Sequence, residues 1–326
     1  MEYQLTRKLR PLIRLLLLPA LVTGLLAACS SGGSHDGSKP RVLATTTQIG
    51  DFARNVGGDR IALTVLLKPN QDAHDFEPEP SQLRAIADAH LVLRNGIGLD
   101  AFVSRALDSG GGKADVVVVS DGITLREGED EHEEHGDDDE AHEESGGHDP
   151  HVWFSVANAR TKVTNVRDGL VSVDAANANY YRDNAQRYLS ELDVLDAQIK
   201  ARVAEVPSSC RKLVTNHDVL GYYSLAYGLE LVGSVIPSTE SNAQASAADV
   251  ADIVGKIRAQ RVPAIFAEAS INPALIRQVG REANVKVVDD LFGDSLGPSG
   301  SDGDTYIKMM QADTNKIVDA LKPCGA

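Results

Sequence analysis

Basic stripes, long apolar runs beyond the N-terminus and the short signatures of common hydrolases are all missing from this 326-residue chain. Its 32 Lys and Arg are outnumbered by 47 Asp and Glu and nowhere gather into a cationic face, which excludes nucleic acid as a partner. After the first thirty or so residues no apolar run approaches about 18 residues, so nothing there reads as a membrane-crossing helix. There is no His-Glu-x-x-His run, no Gly-x-Ser-x-Gly elbow and no phosphate-cradling glycine loop. An enzyme is therefore not expected. Cysteine is scarce, with three in the whole chain.

The N-terminus carries an address. Arg7, Lys8, Arg10 and Arg14 precede an apolar stretch from Leu15 to Leu26, too short for a comfortable span, and residues 1–28 read as an export signal. Leu26-Ala27-Ala28-Cys29 resembles the bacterial lipoprotein cleavage box, which implies a lipid on Cys29 and an extracytoplasmic protein anchored to a membrane, at the cell surface or in a periplasm. Residues 29–40, rich in Gly and Ser, read as a flexible tether. Cys210 and Cys324 are then left as an even pair, expected to form a disulfide in an oxidising compartment, with two reduced thiols as the alternative.

The net charge of −15 is local. Thirteen acidic side chains lie between Glu127 and Asp149, and without them the chain stands at −2. The same stretch holds His132, His135, His142 and His148 and has no apolar periodicity, so it reads as a mobile surface loop and an auxiliary, low-specificity metal-binding segment. A solvated charge run is the plainer reading.

Elsewhere short apolar runs alternate with helical patterns. Residues 41–47, 61–67, 91–93 and 116–119 read as strands of a first lobe (41–174), with Ser81 capping one of its helices. Residues 212–215, 230–235, 264–267 and 286–288 repeat the pattern in a second lobe (207–326). Between them, 175–206 has neither Gly nor Pro, and Tyr181, Ala185, Leu189, Leu192, Leu195, Ile199 and Val203 mark one stripe of a long helix. The expected fold is α/β: two Rossmann-like lobes with mainly parallel sheets, bridged by one long helix, with a ligand site in the cleft at the carboxyl ends of the strands.

Three histidines sit where strands give way to helices: His74 in Asp72-Ala-His-Asp-Phe-Glu-Pro78, His151 in Asp149-Pro-His-Val-Trp153, and His217 in Thr215-Asn-His-Asp218. Singly, each would be a structural histidine; together they face one crevice. These motifs, with Gly221-Tyr-Tyr223 and Phe292-Gly-Asp-Ser295, resemble the successive ligand motifs of the zinc- and manganese-binding solute-binding proteins of ABC importers, over about residues 41–321. The resemblance implies His74 and His151 as ligands from the first lobe and His217 and Asp294 from the second. Asp290, beside Asp289, is the reserve for the last ligand, and Glu240 is a further candidate that His217 makes unnecessary.

Three imidazoles and one carboxylate suit tetrahedral Zn2+, while Mn2+ favours more oxygen and remains the alternative ion. Four protein ligands leave no coordination position for a substrate, which favours transport over catalysis. The expected partners are the divalent ion, the membrane permease of the importer and a lipid anchor, with a metallochaperone as a further partner and the chain acting as a monomer. A surface adhesin or metal chaperone on the same scaffold is the competing reading. Asp72, Asp149 and Asp218 are candidates to orient the imidazoles, or else helix caps, and Trp153 is expected to wall the crevice or to pack in the core.

Overall fold

The computed structural model describes residues 39–110, 112–128 and 147–325. The signal segment 1–28, Cys29, the tether to residue 38 and the loop histidines His132, His135 and His142 lie outside the described residues. The first lobe is a sheet of β1 (Arg41–Ala44), β2 (Ala62–Val65), β3 (Leu91–Arg94) and β4 (Asp115–Val118) in the order β2-β1-β3-β4. The second holds β5 (Lys212–Thr215), β6 (Glu230–Ser234), β7 (Ala264–Glu268) and β8 (Lys286–Leu291) in the equivalent order β6-β5-β7-β8. Every pairing between these strands is parallel. Parallel sheets are covered on both faces, which is why β3 and β7 read as apolar runs closed by a single charged residue, Arg94 and Glu268.

Crossover helices α1 (Thr47–Gly57), α2 (Pro80–Asp88) and α3 (Phe102–Gly110) flank the first sheet. Helices α4 (Val156–Val173) and α5 (Ala178–Val203) run between the lobes; α6 (Gly221–Tyr227), α7 (Ala247–Gln260), α8 (Ala274–Ala283) and α9 (Tyr306–Leu321) complete the second. The starts follow local chemistry: Thr46, Ser155, Ser246 and Thr305 each accept a first-turn backbone N–H through the side-chain oxygen. Helix α2 departs from expectation. It is not capped by Ser81 but begins one residue earlier, with Pro80 in its first turn after Glu79, whose backbone N–H donates to Gln82 Oε1 at 2.8 Å. A proline there loses nothing, because its missing N–H would have had no partner inside the helix.

The bridging helix is shorter than the expected 175–206. Ala175–Asn177 forms a 3-10 turn, and the α-helix of 26 residues spans about 39 Å at 1.5 Å per residue. The corner is set by Asp174, which accepts from Asn177 Nδ2 at 2.7 Å and from the Tyr181 hydroxyl at 2.6 Å. Six of the seven stripe residues are buried as expected; Leu189 is half-buried, and Tyr188 beside it turns inward.

That helix lies in a core that does not stop at the lobe boundary. One cluster runs from Val42 and Leu91 through Leu192 and Leu195 to Leu213, Phe266 and Ile317. Smaller clusters line the other face of each sheet, around Leu43, Ile86 and Val92 in the first lobe and Val214, Ile253 and Val279 in the second. The lobes therefore share one interior, and swinging them apart as rigid bodies would expose apolar surface at about 25 cal/mol per Å2.

Cys210 and Cys324 are joined, S–S 2.06 Å, closing a loop of 114 residues that ties the end of α9 to the start of β5. Replacing both by Ser is expected to cost about 2–5 kcal/mol. Thermal melts should show the double variant destabilised and indifferent to reductant, with reduction lowering the wild type to the same level. Two free thiols by mass in the unreduced wild type would remove the bridge.

Candidate metal centre

The carboxyl ends of the strands deliver four side chains to one point. His74 comes from the loop after β2, His151 from the segment that follows β4 and leads into α4, His217 from two residues beyond β5, and Asp294 from three beyond β8. The two first-lobe histidines use the same local device. Asp72 Oδ1 accepts the backbone N–H of His74 at 2.9 Å, and Asp149 Oδ1 that of His151 at 2.9 Å, so each ring sits two residues after an aspartate that turns the chain. Asn95 Nδ2 holds the Pro150 carbonyl at 3.1 Å. Asp294 is set from both lobes: Glu268 Oε2 accepts its backbone N–H at 3.0 Å, while Gln48 Nε2 donates to the Gly293 carbonyl at 3.3 Å and Thr47 Oγ1 accepts from Leu296 at 2.8 Å.

His74 Nε2 and His151 Nε2 lie 3.0 Å apart, and His217 Nε2 is 3.4 Å from His151 Nε2. Asp294 turns one oxygen to each first-lobe ring, Oδ2 at 3.4 Å from His74 and Oδ1 at 3.3 Å from His151. One ligand atom from each of the four residues lies within 4.8 Å of the others, and all four side chains are buried. Ligands bound at about 2.0–2.1 Å to one tetrahedral ion stand about 3.3–3.4 Å from one another. Most of these separations are of that size.

The far side of each ring identifies its tautomer. Nδ1 of His74 faces Glu240 Oε2 at 3.0 Å, Nδ1 of His151 faces Asp149 Oδ1 at 2.7 Å, and Nδ1 of His217 faces Glu268 Oε1 at 3.0 Å. A carboxylate accepts only, so in the neutral ring each Nδ1 carries the proton and each Nε2 is the nitrogen left to bind a metal. The two Asp294 oxygens, wholly buried, have no hydrogen-bond donor. Three imidazole Nε2 atoms and a buried carboxylate converging on one point are the donor set of a divalent cation, and the residues fit one.

Charge accumulates accordingly. Burial alone would depress the His74 and His151 pKa values, but Asp294 and Glu240 around His74, and Asp149 and Asp294 around His151, outweigh it, and both rise above the usual imidazole value. Burial pushes Asp294 the other way from the histidines, yet His74, His151 and His217 hold it below the ordinary carboxylate range.

Several expectations change in detail. Asp149 orients a ring; Asp72 holds only a backbone N–H and the Ser241 hydroxyl; Asp218 turns away to Arg126, at 2.7 Å. Asp289 and Asp290 pair with Arg277 and Lys316 and lie outside the cluster, so Asp290 is not needed as the reserve. Glu240 backs His74 from the side opposite the cluster. Trp153 is fully buried beneath His151, ring centroids 5.4 Å apart, with Lys162 Nζ 5.3 Å from its ring. His148 pairs with Glu127 at the base of the acidic stretch and is not one of the four. Glu268, Gln48 and Arg126 were missed from the sequence. Glu268 had a signal, as an acidic residue closing the otherwise apolar Ala264-Ile-Phe-Ala run.

Comparison with known proteins agrees with this geometry. The chain is 29% identical over 305 residues to the manganese-binding lipoprotein MntA of Halalkalibacterium halodurans, covering 93% of this chain and 95% of that protein. It is 28% identical to the manganese ABC transporter substrate-binding lipoprotein PsaA of Streptococcus anginosus, covering 91% and 94%. Among solved structures, the periplasmic zinc binding protein TroA from Treponema pallidum superposes with a TM-score of 0.75 at 28% identity, over 87% of this chain and 99% of that one. The periplasmic metal binding protein from Candidatus Liberibacter asiaticus gives 0.75 at 25% identity, over 87% and 100%. The family described as zinc-uptake complex component A, periplasmic, matches residues 42–320, through both lobes and all four converging side chains, and the chain belongs to that family.

Proposed function

We propose that the protein captures one zinc ion between its lobes, through His74, His151, His217 and Asp294, and hands it to the permease of an ABC importer. The coarser part of this is secure: the chain is the metal-binding, substrate-binding component of such an importer and not an enzyme. The observation that carries the finer part is the donor set, three Nε2 atoms and one carboxylate, with each Nδ1 occupied by a further carboxylate. Three nitrogens and an oxygen at near-tetrahedral spacing favour zinc over harder ions.

Manganese is the second reading. Asp294 turns both oxygens to the cluster, which would allow bidentate binding and a higher coordination number, and the relatives MntA and PsaA carry manganese in their names. Cys29 as the lipidated residue, the signal at 1–28 and the acidic stretch as an auxiliary metal segment belong to the same proposal. They would hold the protein outside the cytoplasm, on the membrane that contains its permease.

Two measurements test this. In competition with a chelator, the full chain should bind one zinc per molecule more tightly than manganese; His217→Ala should weaken binding by about 3 kcal/mol or more, the cost of breaking a buried polar cluster, and deletion of 129–146 should leave it intact. Loss of binding with the loop, or indifference to His217, would sink the interlobe site. The second measurement is pH dependence. Both first-lobe histidines hold their protons to higher pH than a free imidazole, so the metal must displace them already above pH 6.5. Affinity is expected to fall steadily from pH 8 to pH 5, by about tenfold per unit for each proton displaced. A flat profile would contradict the three-histidine donor set.

A further inference from the structure

The three carboxylates behind the imidazoles are not equivalent. Asp149 and Glu268 come from the same lobe as the histidines they serve and are buried, with side chains 0% and 2% exposed. Glu240 reaches His74 from the opposite lobe, and its side chain is 46% exposed. It does not act alone. Ser241 Oγ donates to Asp72 Oδ2 at 2.6 Å, and Asn242 Nδ2 to Asp75 Oδ1 at 2.9 Å. Three consecutive second-lobe residues thus grip the first-lobe loop at Asp72, His74 and Asp75.

The exposed Asn70 of the same loop also donates its backbone N–H to the Leu296 carbonyl at 3.2 Å, but most other interlobe contacts are of a different kind. Tyr306 donates its hydroxyl to the Trp153 carbonyl at 2.7 Å and its backbone N–H to Asp51 at 3.1 Å; Leu296 reaches Thr47, and Arg126 reaches Asp218. All but the last are buried on both sides, and the shared apolar core lies among them. Opening any of these strands polar groups away from water or exposes core. In the grip at residues 240–242 the Asn242–Asp75 pair is exposed and Glu240 partly so, and those hydrogen bonds exchange for water directly, while Ser241 is buried.

We infer that Glu240, Ser241 and Asn242 form the release clasp of the metal site, with Glu240 a positioning residue that holds the His74 ring with Nε2 toward the ion. His74 is the first ligand lost when the clasp parts. The other three ligands stay fixed, His217 and Asp294 through Glu268, and His151 through Asp149. This rests on the metal-capture reading and adds to it the order in which the coordination shell comes apart.

The test is a stopped-flow chase of the zinc-loaded full chain with excess chelator, alongside association rates measured separately. Glu240→Ala should release zinc about ten- to a hundredfold faster, the usual cost of losing a partner that orients a ligand, with association changed by no more than about threefold. Glu240→Gln retains an oxygen that accepts the Nδ1 proton and should recover most of the wild-type rate. Ser241→Ala, which leaves His74 untouched, should also quicken release. Wild-type release from both Glu240→Ala and Ser241→Ala, or a loss of affinity confined to association, overturns the clasp. Wild-type zinc binding that is lost in Asp294→Ala upholds the site whichever way the clasp falls, whereas a wild-type chain binding no zinc removes both.

Discussion

The cleft is organised around the convergence of four side chains on one buried point. Imidazole nitrogens and carboxylate oxygens face one another there at 3.0–3.4 Å. The arrangement holds because each group is committed on its other side. Asp149, Glu240 and Glu268 fix the three rings, and Glu268 also takes the backbone N–H of Asp294. Glycine at 293 follows from the same requirement, since a Cβ there would come within 1.4 Å of Glu268 Oε2. A divalent cation would replace the protons that His74 and His151 otherwise retain there, on ligands whose positions are already fixed from behind.

The architecture supplies the rigidity this needs. A core continuous from β1 through α5 to β7 and α9 makes the two lobes one body for most purposes, with the tyrosine at 306 stitched to both Trp153 and Asp51. Capture between lobes is usually pictured as hinge closure. Here the interior leaves little freedom for a hinge, and the adjustable part of the site is a pair of loops at its rim.

Much of this was legible in the chain. The strand at 212–215 matches expectation to the residue, because a continuous apolar run is a local signal. The three histidines were visible because each follows a strand, and Asp294 because of its Gly-Asp-Ser setting. What escaped were relations between distant residues. The carboxylate behind His74 lies 166 positions along the chain, and the sequence offers Glu240 only as a spare metal ligand, not as the partner of that ring. Asp218, adjacent to His217, turned out to serve Arg126, while the distant Glu268 serves His217. Neighbourhood in sequence favoured the wrong carboxylate because a residue that follows a strand can point along either face of the turn.

The matching strand orders of the two sheets carry one more consequence. They make the loop after β2 equivalent to the loop after β6, and the segment after β4 equivalent to that after β8. Equivalent segments meet: His74 touches Glu240, and His151 faces Asp294. Equivalent segments of two like sheets therefore carry unlike side chains, and because the second lobe also brings His217 from the loop after β5, the cluster is asymmetric although the strand orders that frame it are the same.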